Sequence, residues 1–235
     1  MKKLALYSFY FSFFMSCNEP EPCHRVSSTI ISETRDIKDF KGVAFDNLGD
    51  FFLTQGPEFS FTIEGPDNVV ELTTTRVENE LLVIGSDGCF NGDYKLNVEI
   101  TAPEYRFINF SGIGSLTTVG QLEGNVLVME LMGLGDIEAD IYVDSLYTTI
   151  SGNGTVEYTG EVIRHQFSSS GEVTLNSYSL DTDHTIINLT GIGNNYVHAN
   201  ESLAVVIAGS SIVYYQGNPT VQTEITGSGE VIDGN

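Results

Sequence analysis

At 235 residues and 41% hydrophobic composition, the chain is long enough and apolar enough to bury a core, which excludes a disordered tail. Its 24 glycines, 11 tyrosines and 14 phenylalanines, with no tryptophan, favour short strands separated by tight turns over helices. Thirty-two acidic residues against ten Lys and Arg leave a net charge of −22, a field that repels phosphate backbones and anionic headgroups and excludes nucleic acid and bare anionic membranes as direct partners.

Residues 1–17 read as a targeting segment. Lys2 and Lys3 precede an apolar run from Leu4 to Met15, too short to span a bilayer comfortably but suited to a secretory signal. Ser16 then sets a small residue before Cys17. That arrangement resembles a bacterial lipoprotein signal, which implies lipidation of Cys17, anchoring to the outer membrane or cell surface, and membrane contact through the lipid alone. Phe14 departs from the usual aliphatic residue, and plain secretion is the alternative. Cleavage removes two Lys and no acids, taking −22 to −24.

Residues 18–28 read as a flexible tether, polar and Pro-rich at Asn18-Glu-Pro-Glu-Pro22. With Cys17 lipidated, Cys23 and Cys89 remain in a compartment where disulfides persist. A bridge between them would clip the tail onto the first sheet; free buried thiols are the alternative.

From 29 to 105 the runs GVAFDNLGDFFLTQG, FSFTIEGP, ELLVIGS and YKLNVEITAP are short, alternating and turn-bounded. They are expected as antiparallel strands that begin the core and cap the first coil. No linker separates them from the rest, so 29–235 reads as one domain.

From position 112 the chain repeats. SGIG, MGLG, SGNG, SSSG, TGIG, AGSS and TGSG recur, and aligned on the first residue of each Gly-x-Gly unit, which is Ser169 in the fourth, they fall at 112, 133, 152, 169, 191, 209 and 227. The steps of 21, 19, 17, 22, 18 and 18 suit one turn of a β-solenoid and are too short for a pair of helices. Two places before each stand Phe110, Leu131, Ile150, Phe167, Leu189, Ile207 and Ile225, an expected inward column. One place before stand Ser111, Met132, Ser151, Ser168, Thr190, Ala208 and Thr226, an expected outward row. Four places after stand Leu116, Ile137, Val156, Val173, Val213 and Val231, with Asn194-Asn195 delaying the pattern toward Val197 in the fifth unit. Each unit thus reads strand, corner, strand, with Gly112, Gly114, Gly133, Gly135, Gly152, Gly154, Gly191, Gly193, Gly227 and Gly229 as corner residues that admit close approach of successive coils. Seven coils at about 4.8 Å would extend roughly 30 to 35 Å.

The order FFLTQG, FTIEGP, LLVIGS, LNVEITAP, repeated SGxG units and a closing Tyr214-Tyr-Gln-Gly217-Asn-Pro219 with Thr226-Gly-Ser-Gly229 resembles the putative auto-transporter adhesin head domain, or head GIN domain. The resemblance covers roughly 35 to 232. It implies an all-β, right-handed β-helix or β-solenoid on an envelope protein and brings no catalytic residues. Ser169 and Ser211 depart from its Gly-x-Gly.

The chemistry-bearing residues are sparse. His24, His165, His184 and His198 are scattered without metal-ligand spacing, and His165 lies on the inward register of its strand, where a half-buried solenoid side chain is the favoured reading. No Gly-x-Ser-x-Gly elbow is present, and the Gly-x-Gly pairs lack the spacing of dinucleotide or P-loop fingerprints. Asp136, Glu138 and Asp140 share one side of a strand. Calcium would relieve their repulsion, but a solvated acidic face is favoured and no cofactor is expected. Arg164, alone after Arg106, cannot line a groove for an anionic polysaccharide. A non-catalytic surface module binding a surface protein or glycan is therefore the expected function. The alternatives are a carbohydrate-active β-helix enzyme, revealed by two convergent carboxylates in a groove, and a purely structural envelope protein.

Overall fold

The computed structural model describes residues 23–235, so Cys17 and residues 18–22 lie outside the described residues. Those residues are 70% strand and 3% helix, wound into a β-solenoid of about seven turns. Hydrophobic alternation fixes this outcome. In Leu134–Ile150, Ile137, Ala139, Ile141, Val143, Leu146, Thr148 and Ile150 are buried, while Glu138, Tyr142, Asp144, Tyr147 and Thr149 are exposed. Such a strand hides only half its side chains, and it finds both hydrogen-bonding edges by lying parallel between Ile113–Leu131 and Gly154–Ser169. Coils follow one another in register through His198 and on to Asp233.

Successive corners stack Gly112, Gly133, Gly152, Gly171, Gly191, Gly209 and Gly227, each set against the carbonyl of the one before. The true steps are 21, 19, 19, 20, 18 and 18. The extra two residues of the first coil are accommodated between Thr117 and Gln121, where the register with Glu138 and Asp140 shifts around Gly120, at φ +83°.

Three sequence expectations change here. The fourth corner is Gly171, not Ser169: Ile150 pairs with Ser169, and Ser169 with Leu189. The inward column is therefore Phe110, Leu131, Ile150, Ser169, Leu189, Ile207 and Ile225. Phe167 is buried one column over, between Thr148 and Ile187. The second column is likewise Leu116, Ile137, Val156, Leu175, Asn195, Val213 and Val231. Val173 occupies the second-glycine column between Gly154 and Gly193, and Asn195 is 1% exposed within the core, so the pattern is not delayed to Val197. Ile225 is 42% exposed, being stacked on Ile207 but, among the described residues, on no strand at its other edge.

The N-terminal part, to Arg106, is less antiparallel than expected. Gly42–Phe45 and Leu48–Gln55 form a coil beneath the first glycine corner, with Asn47 under Gly112. Leu81–Ser86 and Leu96–Ala102 lie beneath that coil, again parallel. Sequence order and stacking order thus differ: the chain returns past its own earlier coil at Pro103–Arg106, where Tyr105 is buried and donates to the Ile100 carbonyl at 2.9 Å. Among the described residues antiparallel pairing is confined to this end: Ile30–Thr34 pairs with Ser60–Pro66, Ser60–Pro66 also with Leu96–Ala102, and Thr73–Glu78 with Leu81–Ser86, and with the short helix Asp67–Leu72 these strands close it. Phe45, Phe51 and Phe110 join this end to the solenoid core, with ring centroids 4.1 to 6.5 Å apart. Part of the expected tether is structured as well. Cys23 is joined to Cys89 as a disulfide, His24–Arg25 pairs with Phe90–Asn91, and Val26 packs against the core.

Candidate surface binding site

Outward side chains on a solenoid form columns as regular as the core, so each side of the molecule has its own chemistry. One side carries Val126, Ser145, Arg164, His184, Ser202 and Thr220 in register, and beside them Val128, Tyr147, Gln166, Ile186, Ala204 and Gln222. Between these columns runs the inward row His165, Thr185 and Leu203, each 1% exposed, whose main chain floors a groove of about 360 Å³. Ser202 and Ala204 are small and keep it open, while the longer Tyr147, Arg164 and Gln166 wall one end. No Asp or Glu lines it.

A second depression, of about 340 Å³, has the opposite character, with Asp144, Glu161, Asp181 and Asp183 in its lining. Asp181 accepts from Asn200 at 2.6 Å and stands 3.5 Å from His198 Nδ1. A third feature is a tyrosine ladder. Tyr196 and Tyr214 stack with centroids 5.1 Å apart at 10°, and Tyr178 meets Tyr196 edge-on at 5.5 Å. Burial first, then the neighbouring phenols, raises the Tyr178 pKa above its ordinary value. The 18-residue recurrence of Tyr178, Tyr196 and Tyr214 is the sequence signal of this ladder, and it stands apart from the glycine repeat. Along a corner edge, Ile113, Met132, Leu134 and Ile192 are about half exposed.

The four histidines are dispersed. His165 points inward between Tyr158 and Phe167, with Nε2 unpartnered, and burial pushes its pKa down to about 3. It is fully rather than half buried and cannot reach the groove. His24 lies against Phe90. Asp136, Glu138 and Asp140 do share an outward side, but Asp136 accepts from the Thr155 amide at 2.8 Å and Asp140 from the Thr159 hydroxyl at 3.0 Å. Two of the three carboxylates are thus engaged by the next coil without a cation. Among the described residues no group of three or more His, Cys, Asp or Glu is arranged to hold a metal. The second-glycine corners Gly114, Gly135, Gly154, Gly193 and Gly229 form a column that Val173 and Ser211 interrupt.

One juxtaposition was not foreseen. His184 Nδ1 lies 2.9 Å from Ser202 Oγ on the next coil, and His184 Nε2 lies 3.5 Å from Glu201. Histidine beside serine is the geometry of an activated hydroxyl, but acyl transfer also needs free backbone N–H groups aimed at the developing oxyanion. Ser202 sits in Ser202–Ile207, which is paired on both sides, so its ladder amides are committed to neighbouring strands. The pair is better suited to hydrogen-bonding a ligand hydroxyl.

Residues 39–219 match the family described as putative auto-transporter adhesin, head GIN domain. A crystal structure of a putative adhesin from Bacteroides fragilis NCTC 9343 superposes with a TM-score of 0.85 at 23% identity, over 88% of this chain and 98% of that one. A putative adhesin from Parabacteroides merdae ATCC 43184 gives 0.67 at 19% identity, over 90% and 100%. A protein from Parabacteroides distasonis ATCC 8503 described as a putative lipid binding protein gives 0.70 at 18%, over 89% and 99%. No curated protein matches. At these identities the structural likeness establishes the fold. The family match spans most of the sequence, and this chain is a member of the head GIN domain family of adhesin-like proteins.

Proposed function

We propose that the protein is a non-catalytic, cell-surface binding protein, held to the envelope by lipid on Cys17, whose solenoid sides engage glycan on a partner surface. The groove carries the reading. It is rigid because its floor is main chain hydrogen-bonded in both directions, and its lining of hydroxyls, amides and one aromatic ring suits sugar hydroxyls and pyranose faces. Without a carboxylate in its lining this groove offers no acid–base pair for glycoside hydrolysis; the acids of the second depression are the feature an enzyme reading would use. Family membership supports the adhesin-like role and a surface location. Among the described residues no helix is long and apolar enough to cross a membrane.

The test has two arms. Fluorescently labelled protein is applied to a glycan array and to bacterial and epithelial cells, with retention on either as the expected result. Metabolic labelling with a fatty-acid analogue should mark the wild type and not Cys17→Ala. Absence of retention everywhere would remove the binding function, and equal labelling of both chains would remove the anchor.

A further inference from the structure

Of the eight Lys and Arg residues among those described, six pair with a carboxylate within 4 Å: Arg35, Lys38, Lys41, Arg76, Lys95 and Arg106. All six lie in the N-terminal half, at or before Arg106. Arg164 is the one cation of the solenoid proper; it is exposed, has no ion-pair partner among the described residues, and stands in the groove without an acidic neighbour in the lining. In a chain with 32 acids this is a local reversal of charge. An exposed arginine retains its charge and presents a planar fork of donors matched to a carboxylate.

We propose that the groove is a binding site for a sugar residue bearing a single carboxylate, a uronic or sialic acid, with Arg164 as the anion contact. The proposal rests on the glycan-binding reading above and deepens it. Tyr147, 41% exposed and one column from Arg164, supplies an aromatic surface for the C–H face of a pyranose ring. Gln166 on the same coil and Ser202 two coils on supply amide and hydroxyl groups for the ring hydroxyls. His184 lies directly over Arg164 in register and holds Ser202 Oγ at 2.9 Å, which orients that hydroxyl.

One carboxylate is the limit. Glu201 stands at the groove's margin, 3.5 Å from His184 Nε2. The outward column next to Tyr147 begins near Glu130 and ends at Glu224, and the acidic depression with Asp144 and Asp183 lies on the neighbouring side. A polyanion long enough to leave the groove would therefore meet like charge, whereas a single acidic sugar would not. The surrounding negative field slows the approach of an anion and sharpens this selection.

The test is calorimetric titration of the full chain with two matched pairs at low salt, sialyllactose against lactose and cellobiouronic acid against cellobiose. At least one acidic member should bind about tenfold or more tightly than its neutral partner, and added salt should erode the difference. Arg164→Gln should abolish the preference with unchanged thermal unfolding, Arg164→Lys should keep part of it, and Tyr147→Ala should weaken acidic and neutral members of the pair alike. Equal binding of acidic and neutral sugars, or a preference untouched by Arg164→Gln, overturns the site. If glycan-array or cell retention persists and is indifferent to Arg164→Gln, the groove assignment fails while the adhesin-like reading stands. Loss of sugar accompanied by an unsaturated, ultraviolet-absorbing product would uphold the acidic-sugar site and overturn the non-catalytic reading.

Discussion

A methyl group placed on Gly152 would occupy the position of the Gly133 carbonyl oxygen one coil below, and the same relation links Gly133 to Gly112 and Gly191 to Gly171. The corners therefore require glycine because the coils approach too closely for any Cβ, a packing demand distinct from the positive φ that Gly114 also carries, at +144°.

Gly152→Ala should accordingly cost about 3 kcal/mol, since main chain rather than a flexible side chain would have to move. Gly124→Ala is the control. A Cβ there meets nothing within 4 Å, and the change should stay within about 0.5 kcal/mol. Urea midpoints with unchanged slopes would separate the two. Equal tolerance of both substitutions would argue against the close stacking.

His165 predicts a pH dependence. Its pKa is about 3 in the fold, against roughly 6.5 in an unfolded chain, so below pH 6.5 the unfolded state takes up a proton that the folded state refuses. Stability should be unaffected above that pH and fall as pH drops toward 3, by about 2 kcal/mol at pH 5. The coils on either side carry Leu146 and Thr185 at this position, and Leu203 stands one coil further on, so His165→Leu continues an existing row. Unfolding midpoints at pH 7 and 5 should drop for the wild type relative to this variant. Parallel behaviour of the two would show that the ring is not buried neutral.

Asn195 is a second polar residue in the dry core. Its Oδ1 has no partner, and its Nδ2 makes only a 3.4 Å contact with the Ile212 carbonyl, while Leu175 and Val213 flank it in register. Replacing it with the near-isosteric Leu should stabilise the fold by roughly 1 to 2 kcal/mol, because an unpaired buried amide is removed. A lower melting temperature for Asn195→Leu would mean that the amide is satisfied in solution by water.

The Cys23–Cys89 bridge spans a sequence separation of 66. Closing so long a loop restricts the unfolded chain by up to about 4 kcal/mol on the entropic account. Reduction should lower the urea midpoint, and Cys23→Ser with Cys89→Ser should match the reduced wild type. No change in either would show that the covalent link adds nothing to the stretch of tail it holds.

Much of the solenoid was legible because its repeat obeys two local rules at once, alternation along each strand and glycine where coils touch. Phe110, Leu131, Ile150, Leu189 and Ile207 could be read as one column and are one. The fourth unit misled because SSSG offers two residues that could head the corner, and Phe167 is apolar in either register. Only the hydrogen-bonded pairing of Ile150 with Ser169 resolves the choice. Asn195 escaped for a related reason: polarity argued for an outward position, and the covering coils overruled it. The groove was not legible, since Arg164, His184 and Ser202 are about twenty residues apart in sequence and become neighbours through stacking alone.

The sequence by itself determined the fold class, the repeat length and the sign of the charge, since each follows from residue types at near-regular spacing. Tertiary structure decided the stacking order of the N-terminal coils, which departs from chain order at Pro103–Arg106. It also decided which outward side chains meet across coils. Those are long-range matters, settled by which main-chain edges find partners, and no local pattern records them.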